Sequence, residues 1–73
     1  MNEATAAATI AIATANVANG APMQSSAVLC LSDARSCLSR GDFGSANSRA
    51  LASLSYSVGC LHPAWREAKA LLG

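Results

Sequence analysis

The chain has 73 residues, 52% of them hydrophobic and 12% charged, with a net charge of +1. It is long enough for a single domain, and too apolar for a charge-rich disordered tail. Near-neutral charge gives no electrostatic footprint for nucleic acid. A chain this short buries only about 60% of the surface that it exposes when unfolded. Close packing, a partner subunit or a covalent staple must supply the rest.

The predicted elements are all helical. Residues 4–19 are rich in Ala, the best intrinsic helix former. Ala6, Ile10, Ala13 and Val17 fall at i, i+4, i+7 and i+11, one stripe of a helix. Asn19 and Gly20 end it, and Pro22 or the Ser25-Ser26 pair opens the next. No basic n-region or leucine-rich stretch accompanies the acidic Met1-Asn2-Glu3 start, and Asn16, Asn19, Gly20 and Pro22 interrupt the apolar run. A secretory signal or a membrane span is therefore not expected, and a cytoplasmic location is.

The second helix is predicted over 23–40. Met23, Ala27, Cys30, Leu31, Ala34, Cys37 and Leu38 recur at helical spacing. Leu29 points almost opposite to that stripe, and with Val28 it marks a candidate second surface. Gly41 suits the left-handed position that ends a helix, and Asp42 can cap the one that follows. So short a turn makes the flanking helices antiparallel neighbours.

The third helix is predicted over 43–61. Phe43, Ala46, Ala50, Leu54, Val58 and Leu61, with Leu51 beside them, should face the second helix. Ser48, Ala52, Ser55 and Gly59 form a second stripe of small side chains, edged by Tyr56 and Cys60. Small residues allow a backbone to come close. The Ala-rich first helix, or its copy from a second subunit, is expected to lie there, with Ile10 and Val17 directed at the groove between helices two and three. Asp33 and Arg49, at similar heights on either side of the turn, are expected to pair. His62 precedes Pro63, which disfavours further helix and can serve as the first residue of a short last helix, 63–72. Trp65, Ala68 and Leu72 form its inner stripe.

The chemistry-bearing residues are sparse. Cys30, Cys37 and Cys60 are odd in number and contain no C-x-x-C spacing, so neither a closed disulfide framework nor a common zinc motif is present. On a helix Cys30 and Cys37 lie about 10 Å apart, too far for a disulfide, and all three cysteines read as small core residues. Arg35, Arg40, Arg49, Arg66 and Lys69 are interleaved with acids rather than clustered. His62 lacks a partner carboxylate at helical spacing, and Arg49 lies thirteen residues away, unlike the short Arg-to-His spacing of small all-α nucleases. No catalytic, metal-binding or cofactor-binding residue is assigned.

Leu31-Ser32-Asp33-Ala34-Arg35, Leu38-x-x-Gly41-Asp42-Phe43-x-x-Ala46 and Tyr56-x-x-Gly59-x-Leu61 resemble the archaeal domain of unknown function 357 family. These stretches span about half the chain. It departs from the family's pattern at Ser36 and Cys37, where aromatic residues are usual, and at His62, where an acid is common. The resemblance implies a helical bundle with a central hairpin. In some relatives the domain accompanies a nucleotidyltransferase domain, which implies an accessory or oligomerising role.

Together these readings predict an all-α fold. It is a single small antiparallel bundle (1–73) on a central αα-hairpin, with an Ala-rich N-terminal helix and a short C-terminal one. The expected function is a non-catalytic interaction or oligomerisation module, with a homodimer or another protein as partner and no nucleic acid or membrane. The alternatives are an accessory subunit of a nucleotidyltransferase-type enzyme and a small nuclease-like toxin. Gly41 and Asp42 are the turn residues. Leu29, Ser48, Ala52, Ser55, Tyr56 and Gly59 are the candidate packing or partner face.

Overall fold

The computed structural model describes residues 2–17 and 24–72. Four helices follow one another: α1 (Glu3–Val17), α2 (Gln24–Ser39), α3 (Phe43–Ser57) and α4 (Pro63–Ala70). There is no strand among the described residues, and the fold is an all-α helical bundle. Asn19, Gly20, Pro22 and Met23, expected to end α1 and start α2, lie outside the described residues.

Each helix start has a local cause. The Asn2 side-chain oxygen accepts from the Thr5 amide at 2.8 Å, which satisfies a free donor of the first turn of α1. Asp42 does the same for α3, accepting from the Ser45 amide at 3.3 Å. His62 caps α4 through Nδ1, which accepts from the Ala64 amide at 3.0 Å, and Pro63 follows at the first helical position.

The α2–α3 turn is set by Gly41, whose φ is +79°. The Asp42 amide donates to the Cys37 carbonyl at 2.9 Å, and the Gly41 amide to that of Leu38 at 3.0 Å. This is the two-bond Schellman closure of a helix. Asp42 thus closes α2 with its backbone and opens α3 with its side chain. Only Arg40, Gly41 and Asp42 separate the two helices, so the hairpin is tight and its register fixed.

That register places the buried Ser53 hydroxyl 2.7 Å from the Ala27 carbonyl of α2. α1 lies against both helices of the hairpin, more extensively against α3, and α4 closes one end against α1 and α3. The core contains Ala6, Ile10, Ala13 and Val17 of α1, Ala27, Leu31, Ala34 and Cys37 of α2, Ala46, Ala50 and Leu54 of α3, and Ala64 and Ala68 of α4. Phe43, Leu51, Val58 and Trp65 are half-buried against it. Buried Thr9, Asn47, Ser53 and Ser57 widen the inner arc of α1 and α3 beyond their apolar stripes. The α1 hydroxyls turn back on their own helix: Thr9 donates to the Thr5 carbonyl at 3.1 Å and Thr14 to that of Ile10 at 2.8 Å.

Three sequence-based expectations need correction. α3 stops at Ser57, four residues before Leu61. Gly59, with φ +91°, takes the chain out of the helix, and its amide donates to the Leu54 carbonyl at 3.1 Å. Leu61 therefore leaves the expected stripe and is 83% exposed, and Cys60 is exposed rather than in the core. α4 likewise ends at Ala70 rather than Leu72.

Gly41 has no atom within 4 Å of where a Cβ would stand, so substitution there costs only backbone strain. Gly41→Ala is expected to destabilise by about 1 kcal/mol, and Asp42→Ala, through the lost cap, by a similar amount. Urea denaturation measures both. An unchanged midpoint for Gly41→Ala would mean that the left-handed turn does not limit stability.

Candidate functional site

The two outer faces of the hairpin differ. Successive residues of a helix are rotated by about 100°, which divides α3 into three arcs. Ala46, Ser53 and Ser57 turn towards α2, as the Ser53–Ala27 hydrogen bond requires. Asn47, Leu54 and Val58 form the next arc, buried or half-buried, where α1 lies. On the opposite side of the α2 contact, Arg49 and Tyr56 are exposed. On α2, Arg35 marks the α1 side, because its guanidinium donates to the Thr14 hydroxyl of α1 at 3.0 Å. Asp33 projects on the other side, while Leu29, two residues from Ala27, points away from α3, and both are exposed.

The candidate face therefore divides. Tyr56, 41% exposed, lies on the open side of the hairpin, with half-buried Ala52 at its edge, and Leu29, 67% exposed, lies on the outer side of α2, away from α3. Ser48, Ser55 and Gly59 instead lie on the side of α3 directed away from α2. Ser48 and Ser55 are exposed and Gly59 is half-buried. α1 of the same chain therefore does not occupy this small-residue stripe. α1 takes the groove beside Asn47 and Leu54, where Ile10 and Val17 are buried. That groove borders both hairpin helices, so α1 buries two faces there; the stripe offers contact with α3 alone.

The expected Asp33–Arg49 ion pair is also absent. Both side chains stand at the open edge of the hairpin, where water solvates each charge and little is gained by pairing. Arg49 instead borders a shallow depression of about 640 Å³, lined also by Asp42, Gly44, Ser45, Ser48 and Ala52. Asp42 is already engaged as a helix cap, and the depression lies open on the surface.

The residues considered for chemistry are engaged elsewhere or dispersed. His62 Nδ1 holds the start of α4. Arg40 donates to the buried Cys37 sulfur at 3.3 Å. Exposed Cys60 lies 3.4 Å from the Ser55 hydroxyl, and all three cysteines are free thiols. Among the described residues no group of three or more His, Cys, Asp or Glu side chains could hold a metal ion, and no helix is long and apolar enough to cross a membrane. The open side of the hairpin is the feature that sequence reasoning located only in part. Leu29 and Tyr56 are legible as off-stripe residues, but which side of the hairpin stays open depends on where α1 docks.

No family model matches the chain. No curated protein and no solved structure matches it either.

If His62 serves the fold as a cap, His62→Ala should destabilise by ~1 kcal/mol and His62→Asn should recover most of the loss, since Asn is a strong cap. Thermal melts of the two variants check this. Equal destabilisation by both would assign His62 another role.

Proposed function

We propose that this chain is a non-catalytic helical interaction module that associates with a second copy of itself. The observation that carries the reading is the asymmetry of the hairpin. α1 covers one of its faces, while the other presents Tyr56 to water beside the charged Asp33 and Arg49. Single exposed apolar residues are ordinary on a folded surface. Here the exposed Tyr56 stands on the face that α1 leaves open, and the exposed Leu29 lies on the outer side of α2. Aromatic residues with an apolar body and a polar tip are favoured at contact surfaces. The resemblance to the domain of unknown function 357 family implies a module of the same kind.

No chemistry is assigned to the module. Its one histidine is committed to a helix terminus. Its cationic side chains are distributed over three helices, Arg35 and Arg40 on α2 and its turn, Arg49 on α3, Arg66 and Lys69 on α4. This distribution lacks the continuous basic strip that tracks a phosphate backbone.

Sedimentation equilibrium over a range of loading concentrations tests the reading. Mass rising with concentration towards that of two chains is expected. A single-chain mass at every concentration would contradict it.

A further inference from the structure

α4 depends on its neighbours and on the residue that precedes it. Its 8 residues are too few for a helix to persist alone in water. Ala64 and Ala68 bury one side of it, Trp65 is half-buried beside them, and the contacts run to α1 and α3. The other hold is at its N-terminus. Pro63 has no amide to satisfy, and the Arg66 amide donates to the His62 carbonyl at 3.2 Å. The Ala64 amide donates to a side chain instead, His62 Nδ1, at 3.0 Å.

This cap differs chemically from the other two in the bundle. Asn2 and Asp42 accept through oxygen. An imidazole nitrogen accepts only while it carries no hydrogen. Protonation places hydrogen on both ring nitrogens, so Nδ1 becomes a donor set against the Ala64 donor. The charge gained also stands at the positive end of the helix dipole, where a cation is disfavoured. Arg66, four residues on, adds a like charge one turn away. The other titratable or charged groups on the elements around His62 are Glu3 on α1, Arg49 and Tyr56 on α3, Cys60 in the connection, and Glu67 and Lys69 on α4. All are exposed, and none of them bonds to the His62 ring. No carboxylate is therefore paired with the ring to hold its charged form.

We propose that His62 is a pH-sensitive latch for α4. Neutral, it caps the helix and helps to hold Ala64, Trp65 and Ala68 against α1 and α3. Protonated, it drops the cap, and α4 loosens from that end of the bundle. The sign follows from the bond. The cap exists only in the neutral form of the folded chain, and the unfolded chain has no such preference. The stability that it supplies is complete above the range in which imidazoles titrate, about pH 5 to 8, and is lost as the pH falls through that range. Carboxyl groups take up protons at lower pH and thiols lose them at higher pH. The chain has a single histidine, so a transition in this interval reports on His62.

Thermal melts of wild type and His62→Asn at about pH 7.5 and about pH 5 test this. Acrylamide quenching of Trp65, the single tryptophan, reads α4 locally in the same samples. The wild-type midpoint is expected to fall by about 4–8 °C at the lower pH, the effect of one helix cap in a domain of this length. Trp65 is expected to become more accessible to the quencher. His62→Asn, whose side-chain oxygen accepts at both pH values, is expected to keep its midpoint and its quenching. A wild type with the same midpoint at both pH values would overturn the latch. A His62→Asn protein that loses as much as wild type would overturn it too, by placing the acid-sensitive group elsewhere. A lowered wild-type midpoint with unchanged Trp65 quenching in the folded protein would overturn the loosening of α4.

Discussion

At the centre of the bundle the buried side chains are mostly methyl groups. Ala6 and Ala13 of α1, Ala27 and Ala34 of α2, and Ala46 and Ala50 of α3 are closed to solvent. Helices separated by so little side chain can approach to the short end of the usual 8–10 Å range. That approach is the constraint on which the rest depends. Burial of a methyl group removes little area from water, so each contact contributes little unless the backbones are close enough for dispersion to act along their whole length. Leu31, Leu54, Ile10 and Val17 supply the larger apolar volume between the alanines. The buried hydroxyl of Ser53 is tolerated because close approach puts the Ala27 carbonyl within hydrogen-bond reach.

A core of small side chains also makes register exacting, since there are few large knobs to hold it. The structure fixes register at the turn instead. Gly41 and Asp42 together close α2 and open α3 with three hydrogen bonds in a turn of only three residues. The buried Ser53–Ala27 bond holds the same register at the far end of the hairpin. With both ends pinned, the hairpin is a platform. α1 takes the face where it can touch two helices, leaving Asp33, Arg49 and Tyr56 on the other.

Much of this is visible in the residues themselves. Helical spacing marks Ala6, Ile10, Ala13 and Val17 on α1 and Ala27, Leu31, Ala34 and Cys37 on α2, and all are buried. Gly41-Asp42 announces the turn because only a few residue types suit a left-handed position followed by a cap. The end of α3 is harder to see, since Gly59 continues the small-residue spacing of Ser48, Ala52 and Ser55 while its backbone leaves the helix. The docking face of α1 is harder still. Small residues occur on every side of α3, and a helical wheel cannot distinguish the side that touches one neighbour from the side that touches two. Buried polar residues, Asn47 and Ser57 among them, complete the α1 and α2 arcs, and a reading based on apolar stripes passes over them. The expected Asp33–Arg49 pair matched the register but overlooked how little an exposed pair gains by closing.

The central claim is that close helix approach at the alanines holds the fold together. Two neighbouring substitutions on α3 test it most directly: Ala50→Leu, at a position with no exposure, and Ala52→Leu, two residues on and half-buried at the open side. Both exchange Ala for a residue of similar helix propensity, so local preference changes little. Under dilute conditions, urea denaturation should show Ala50→Leu destabilised by about 1–3 kcal/mol through overpacking, with Ala52→Leu near wild type. Equal midpoints for the two variants, or an Ala50→Leu protein as stable as wild type, would contradict the account.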